Sequence, residues 1–299
     1  NGLYSPAKRP DDAGFGEATG GELRGGIFFP RSGYVSDPAQ AAANAEFAAK
    51  REGAEFLYNS EITEILVENG RAAGVKLSDG TVFRAPIVVN IAGPHSAKIN
   101  EMAGVRDGMA IKTRALRHEV AHVPAPEGVD YLTNGCVTSD SDIASYARPE
   151  TGNYVLIGSE DPACDEQEWV DPDDWDADFS EQARVQAMRL AQRYDGLPIP
   201  NKMRGVVELY DVTDDWAPIY DKTDLPGFYV AIGTSGNQFK NAPVVGKMMT
   251  KLIQECEAGH DHDAEPVSFR FDNVGMDLSI GFFSRNRQIN EDSSFSVLG

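Results

Sequence analysis

A glycine-interrupted stretch late in the chain is the first candidate for chemistry. In "VAIGTSGNQFKNAPVVGKMM", residues 230–249, a strand pattern stops at Gly233, a polar run containing Gly236 follows, and a helix pattern begins after Pro243. The backbone N–H groups of such a loop, and of the helix N-terminus behind it, can face an anionic or electron-rich group. No Gly-Lys-Ser/Thr ending is present, so the loop does not match a nucleoside-triphosphate cradle. The alternative is an ordinary strand-to-helix turn.

A second candidate is the HExxH string His118-Glu119-x-x-His122. On a helix, this spacing places two imidazoles on one face to hold zinc, with the glutamate as general base. Prolines at 124 and 126 would end a helix at once, and along a strand Glu119 would point away from both histidines. No third ligand is evident. We therefore expect a strand and no metal site, with a zinc hydrolase as an alternative.

The charge balance excludes several classes of partner. Asp and Glu number 47 against 27 Lys and Arg, which gives a net charge of −20. Such a surface repels phosphate backbones and anionic lipid, so we expect neither nucleic-acid nor membrane partners. No apolar run approaches the roughly 20 residues of a membrane span. The 3 cysteines form no CxxC pair, which favours a reducing compartment and a cytoplasmic location.

Local signals predict the elements of the first hundred residues. Asp37-Pro38 is typical of a helix start and Gly53 of a helix end. Asn69-Gly70 and Asp79-Gly80 then separate three short alternating segments, which predicts a three-stranded antiparallel meander. The apolar run "PIVVNIAG" that follows indicates a strand buried on both faces, as in a parallel sheet.

The rest of the chain is predicted from fewer signals. Residues 96–204 are strand-rich and irregular, with one helix for which Asp178 and Glu181 have capping-box spacing. "GFYVAIG" is a second buried strand. The helix after Pro243 carries apolar residues at helical spacing, and its methionines are expected to pack in a core.

The residues then resemble a known family. "GGIFFPRSGYVSDPAQ", "GAEFLYNSEITEILVENGRAAGVKLSDGTVFRAPIVVNIAGPHSAKI" and "VVELYDVTDDWAPIYDKTDLPGFYVAIGTSGNQFKNAPVVGKMM" follow each other in the order typical of D-amino-acid-oxidase-like FAD oxidoreductases. The branch that contains sarcosine oxidase and dimethylglycine dehydrogenase is the most similar. The resemblance covers most of residues 25–255.

The resemblance implies a mixed α/β (α+β) architecture. A partial glutathione-reductase-like FAD-binding domain would comprise residues 1–95 and 205–299, and an antiparallel-sheet substrate domain would comprise residues 96–204. The strand–GxGxxG–helix unit that opens the FAD domain in this family has no counterpart in the sequence, because "GFGEATG" lacks the spacing. A missing N-terminal segment or a second chain is therefore expected to complete the FAD site.

The resemblance also implies the residues that contact FAD. The last glycine loop is expected to pack along the flavin, and two earlier segments to border the dinucleotide; plain packing is the alternative for both. These cofactor-binding residues are Ile62, Ala92, Gly93, Pro94, Gly233, Thr234, Ser235, Gly236, Asn237 and Gln238. Glu208 stands where some relatives carry a cysteine linked to flavin, so FAD is expected to be non-covalent, and this chain alone could lack it.

Three residues are expected to contact the substrate. Lys240 matches a lysine that binds the substrate carboxylate in sarcosine-oxidase-like members, with a surface lysine as the alternative. Tyr210 matches a position that carries a substrate-contacting Tyr or Arg, with a structural tyrosine as the alternative. Arg31 in "FPRSGY" is a third cationic candidate.

The expected activity is FAD-dependent oxidation of a C–N bond in a secondary or tertiary amine or amino acid, with hydride passing to flavin N5. A 2-hydroxyacid or polyol dehydrogenase of the same family is an alternative. A flavin-free, non-catalytic fragment is another. The exact substrate and the electron acceptor stay open.

Overall fold

A computed structural model of the chain describes residues 7–298. The helices are α1 Pro38–Arg51, α2 Ser96–Met102, α3 Tyr131–Asn134, α4 Glu181–Ala191 and α5 Ala242–Glu257. The strands are β1 Ile62–Glu68, β2 Arg71–Leu77, β3 Val82–Arg84, β4 Val88–Asn90, β5 Thr113–Pro124, β6 Thr138–Asp140, β7 Ser145–Glu150, β8 Tyr154–Ser159, β9 Trp169–Val170, β10 Gly205–Thr213, β11 Ile219–Lys222, β12 Phe228–Ile232, β13 Ser268–Phe271 and β14 Met276–Ser279. Short 3-10 helices span Gly93–His95, Arg106–Gly108, Phe239–Asn241 and Ile280–Phe283. None of the helices within this part of the chain is long and apolar enough to cross a membrane.

The local signals for α1 and the meander are confirmed. Asp37 caps α1 by accepting a hydrogen bond from the Gln40 N–H at 2.8 Å. Strands β1, β2 and β3 form an antiparallel sheet in that order. Asn69 and Gly70 at the first turn both have positive φ, 52° and 74°, as a tight hairpin turn requires.

A second small sheet has the order β11–β12–β4. Strand β12 is buried throughout, and its pairing with β4 is parallel, as predicted from the apolar runs. Burial of β4 is less complete than predicted: Val88 and Val89 are half-buried, and Ile91 just beyond it is 70% exposed. The reason is position, since among the described residues β4 has β12 as its only neighbour and forms the edge of this sheet.

The largest sheet has the order β10–β5–β8–β7–β6, with β9 paired to β5. Pairings of β8 with β5 and β7, and of β6 with β7, are antiparallel. Helix α4 packs on β7 and β8, so that Ala183, Ala187 and Leu190 share a core with Val155 and Ile157.

The chain divides into two compact units, and two of the boundaries between them fall within β5 and β10. The first unit holds the described residues through Tyr58, His118–Gln167 and Asp176–Glu208. The second holds Asn59–Arg117, Glu168–Trp175 and the described residues from Leu209 onward. The division predicted from the resemblance, residues 1–95 with 205–299 against 96–204, stays a prediction.

The HExxH string lies in strand β5, as its alternation predicts. Glu119 is 3% exposed, and its two carboxylate oxygens accept hydrogen bonds from the N–H groups of Ser180 and Ala183, each at 2.9 Å. These bonds occupy the glutamate at the start of α4, away from any role as a base. Residues 7–298 contain no group of three or more His, Cys, Asp or Glu arranged to hold a metal ion. The structure thus gives the zinc-hydrolase alternative no support.

The start of α4 also corrects the predicted capping box. The N-cap is Ser180, whose hydroxyl accepts from the Gln182 N–H at 3.1 Å. Asp178 lies two residues before the N-cap, too early to cap the helix, and its own N–H donates to Asp176. Glu119 completes the cap from 61 residues away in the sequence.

Replacing Glu119 by alanine should therefore destabilise the first unit. The N–H groups of Ser180 and of the buried Ala183 would lose their acceptor, and we expect a loss of about 2 kcal/mol in the free energy of unfolding. Urea unfolding followed by circular dichroism measures it. Glu127→Ala removes an exposed acid of the same unit and should change stability by less than about 0.5 kcal/mol. Equal stability of the two variants would contradict the capping role.

Candidate functional site

The glycine loop between β12 and α5 has an unusual backbone. Gly233, Ser235 and Gly236 all lie in the left-handed region, with φ of 71°, 48° and 75°. The chain therefore turns sharply after Ile232 and reaches α5 through the 3-10 helix Phe239–Asn241. Glycine tolerates this conformation, whereas Ser235 needs support from its surroundings.

Both glycines also permit close approach of side chains from β10. A Cβ atom on Gly233 would lie 2.2 Å from Thr213 Cγ2, and one on Gly236 would lie 2.6 Å from Cε2 of Tyr210. The Tyr210 ring thus packs directly on the loop. Tyr210, predicted to contact substrate, lies beside the segment predicted to contact flavin.

Three polar N–H groups of the loop have no hydrogen-bond partner among the described residues. Within residues 7–298, the N–H groups of Thr234 and Gly236 have no protein acceptor, and both residues are exposed. The Asn237 side chain is 8% exposed, and its Nδ2 is buried without a hydrogen-bond partner. Open donors on a glycine-rich turn suit a group that carries carbonyl oxygens or negative charge along one edge. A flavin ring has such an edge, so the residues fit this cofactor.

Lys240 and Gln238 are held by the loop itself. The Lys240 ammonium donates to the Asn237 carbonyl oxygen at 2.8 Å, and the residue is exposed. The Gln238 Oε1 accepts from the Tyr220 hydroxyl at 3.2 Å and from Asn241 at 2.7 Å. A cation therefore lies at the edge of the loop, within reach of solvent.

Beside Gln238 and Asn241 lies a cavity of about 410 Å³ in the second unit. Its walls include the aromatic residues Trp216, Tyr220, Phe271, Phe282 and Phe283. This volume falls in the range of small-molecule sites, roughly 300–1,000 Å³. The turn is therefore bordered by open space on the α5 side.

The predicted segment 92–94 is shaped by Asn90, which sequence analysis missed. Asn90 is buried; its Oδ1 accepts from the Ala92 N–H at 3.0 Å, and its Nδ2 donates to the Ser96 carbonyl oxygen at 3.0 Å and to Asn100 at 2.8 Å. Gly93 takes a φ of 55° and opens the 3-10 helix Gly93–His95. The signal in the sequence was an Asn at the end of an apolar strand, because its side-chain amide can form hydrogen bonds with the backbone of the turn that follows.

His95, next to this segment, contacts the acidic loop. Its Nε2 lies 2.8 Å from Asp173, and Lys98 binds both Asp171 and Asp173. The acidic stretch is therefore held against α2 by exposed ion pairs. The Lys98 ammonium lowers the pKa of both carboxyls.

Asp211 is the second functional candidate that sequence analysis missed. It is 2% exposed in β10, and its Oδ2 accepts a hydrogen bond from the Gly233 N–H at 2.5 Å. Burial raises the pKa of this carboxyl to about 7, while the Gly233 N–H and the hydroxyls of Thr113 and Ser96 act in the opposite direction. An acid among the apolar residues of a buried strand was the signal.

The remaining predicted residues are more dispersed. Ile62 is half-buried at the start of β1, pairs with Leu77 and packs against the core that contains Ile65. Arg31 belongs to the first unit and is exposed, whereas Lys240, Tyr210 and the loop belong to the second. The roles assigned to all of these residues stay predictions.

Comparison with known proteins identifies the family. Residues 7–252 match the DAO family model, described as FAD dependent oxidoreductase. The chain belongs to this family. This match confirms the resemblance drawn from the sequence. The DAO family is FAD-dependent.

Individual relatives support the same assignment. Sarcosine oxidase subunit beta from Rhizobium meliloti (strain 1021) is 26% identical over 264 residues, 85% of this chain and 58% of the relative. Mitochondrial sarcosine dehydrogenase of Mus musculus is 30% identical over 142 residues, 46% of this chain and 14% of the relative. The chain spans 58% and 45% of the two sarcosine oxidase beta subunits that it matches.

Solved structures share the fold. L-proline dehydrogenase from P. horikoshii has a TM-score of 0.62 at 21% identity, over 84% of this chain and 59% of that chain. Glycine oxidase from Geobacillus kaustophilus has a TM-score of 0.57 at 20% identity, over 83% of this chain and 58% of that chain. The predicted mixed α/β fold class is confirmed.

The packing of Tyr210 on the loop predicts a contrast between two glycines. Gly236→Ala would place a methyl group against the Tyr210 ring at positive φ, and should destabilise the second unit by about 2 kcal/mol. Gly246→Ala, in the middle of α5 with open space around its Cβ position, should instead stabilise by up to about 1 kcal/mol. Thermal unfolding of both variants checks this. Destabilisation of equal size at both positions would contradict the contact.

Proposed function

We propose that the chain forms part of an FAD-dependent oxidoreductase that oxidises the C–N bond of a secondary or tertiary amine or amino acid, of which sarcosine is the model. The observation that carries the proposal is the loop 233–238, which combines close backbone approach, open N–H donors and a neighbouring lysine in a chain of the DAO family. Relatives named sarcosine oxidase and sarcosine dehydrogenase favour this substrate class.

FAD would be held without a covalent bond. The loop 233–238, the segment Ala92-Gly93-Pro94 and Ile62 are the residues proposed to contact it, and Glu208 offers no thiol for attachment. When bound, FAD would supply a two-electron acceptor, at flavin N5, for the hydride of the substrate C–H bond. The N–H groups of Thr234 and Gly236 would favour the negative charge that reduction leaves on the ring.

The substrate would be oriented by charge and packing. Lys240 would bind the carboxylate of an amino acid, and Tyr210 would border the bound amine. Arg31 is proposed as a further cationic contact. Oxidation of a neutral amine requires positioning of its C–H bond more than a strong protein base, which fits a site with no histidine in the loop.

A second chain, or a further segment of this chain, is proposed to complete the FAD site. In the first unit α1 has no buried residue, and Ile27, Phe28 and Phe29 are 67–86% exposed. In the second unit the edge strand β4 leads to the exposed Ile91. Apolar surfaces and open edges of this kind are typical of interfaces. We place the assembly in the cytoplasm, without a nucleic-acid or membrane partner.

A 2-hydroxyacid or polyol dehydrogenase is the alternative within the family. The two are separated by mixing an FAD-loaded preparation anaerobically with sarcosine, dimethylglycine, lactate or glycerol and following the loss of oxidised-flavin absorbance. Reduction by the N-methyl amino acids is expected. Reduction by lactate or glycerol alone would overturn the choice of C–N oxidation.

Lys240 allows a sharper test. In the same preparation, Lys240→Met should lower kcat/KM for an amino acid by roughly 30-fold, because a charge-assisted contact of about 2 kcal/mol is lost. Most of the effect should appear in KM, and an amine without a carboxylate should be little affected. Lys247→Met, an exposed lysine one turn into α5, serves as the matched control. Equal kinetics for the two variants would remove Lys240 from the substrate site.

A further inference from the structure

Asp211 is bonded to the loop 233–238, and the hydroxyl of Ser96, two residues after the segment 92–94, acts on its carboxyl. We propose that Asp211 is a positioning residue that joins the loop 233–238 to the start of α2, and that the loop opens more easily when this carboxyl has lost its proton. The inference rests on the proposed function, because that function gives the loop its role.

Asp211 accepts two hydrogen bonds from the loop. The Asp211 carboxyl accepts from the Gly233 N–H at 2.5 Å, and its backbone carbonyl oxygen accepts from the Ser235 N–H at 2.8 Å. Ser235 is fully buried at positive φ, and its hydroxyl donates to the Gly233 carbonyl oxygen at 3.1 Å. A strained residue persists only where its surroundings hold it, and here Asp211 supplies part of that support.

Two hydroxyl groups also act on the Asp211 carboxyl. The hydroxyls of Ser96 and Thr113 approach Asp211 and lower its pKa, yet Oδ1 and the Ser96 Oγ are both buried without a hydrogen bond of normal geometry. An ionised carboxylate can only accept, so it leaves Oδ1 dependent on a donor. The Ser96 and Thr113 hydroxyls can supply that donor, and a protonated carboxyl can instead donate from Oδ1, so the carboxyl can be satisfied with or without its proton.

The groups that act on this carboxyl are uncharged. They are the Ser96 hydroxyl from α2, the Thr113 hydroxyl from β5 and the Gly233 N–H from the loop. Charged residues on the adjoining segments are engaged elsewhere, since Asp214 accepts from the Lys112 N–H, Asp215 pairs with Arg287 and His95 contacts Asp173. Burial therefore outweighs the donors, and the pKa of Asp211 rises to about 7.

The direction of the pH effect follows from linkage. An opened loop would hydrate Asp211 and return its pKa toward the ordinary value of roughly 4, whereas the closed loop binds the proton up to about pH 7. Between these values the closed state binds more protons, so opening becomes easier as pH rises. Above about pH 7 both states are ionised, and the dependence disappears.

Backbone hydrogen exchange on the 299-residue chain, without added flavin, tests this. After correction for intrinsic rates, protection of the Gly233 amide should fall by up to about tenfold per pH unit between pH 5 and 7 and then level off. Asp211→Asn keeps an acceptor and cannot ionise, so it should keep the protection and lose the pH dependence. Asp211→Ala should lose protection at Gly233 but keep it at Ser235, whose acceptor is backbone.

Two controls distinguish a change in the loop from destabilisation of the whole second unit. Amides of the β1–β2 hairpin should exchange alike in all variants, and Asp277→Asn, an exposed acid of the same unit, should behave as the wild type. Unchanged pH dependence in Asp211→Asn would overturn the proposal. If Asp211→Ala fails to fold, the wild type and Asp211→Asn still decide it. The experiment needs no flavin, so its failure is distinct from failure of the proposed function.

Discussion

The bonds from Gly233 and Ser235 to Asp211 are the constraint on which the site depends. They fix a turn that contains three residues at positive φ, and they do so from a strand that lies 22 residues earlier in the chain. With the turn fixed, Gly236 lies on the Tyr210 ring and the open N–H groups of Thr234 and Gly236 are displayed. The same turn sets the positions of Lys240 and Gln238. Lys240 donates to the Asn237 carbonyl oxygen within the loop, and Gln238 accepts from the Tyr220 hydroxyl beside it.

Features that depend on neighbours in the sequence could be predicted. Asn69-Gly70 specifies a hairpin because both residues tolerate positive φ, and Asp37-Pro38 specifies a helix start because the carboxylate reaches an N–H three residues on. The glycine loop was found for the same reason. Its glycines mark where the backbone must turn, whatever the rest of the chain does.

Features that depend on distant partners could not be predicted. Glu119 caps a helix 61 residues away, and nothing in the HExxH string indicates that its carboxylate is bound to Ser180 and Ala183. The partial exposure of β4 was missed because an apolar run predicts burial, while its actual burial depends on which strands lie beside it. For the same reason the sequence placed Lys240 in the candidate site but not Asp211, whose significance comes from being buried beneath the loop.

Glu119 and Asp211 show how the same chemistry serves two purposes. Each is a buried acid that accepts hydrogen bonds from backbone N–H groups of another segment. Glu119 accepts a backbone N–H bond at each oxygen, and these two bonds hold the start of α4. Asp211 has a backbone N–H donor at one oxygen alone, and burial outweighs this bond and the nearby Ser96 and Thr113 hydroxyls, which favours the protonated acid. One buried carboxyl therefore holds the start of a helix, whereas burial of the other opposes its ionisation and couples the loop that it holds to pH.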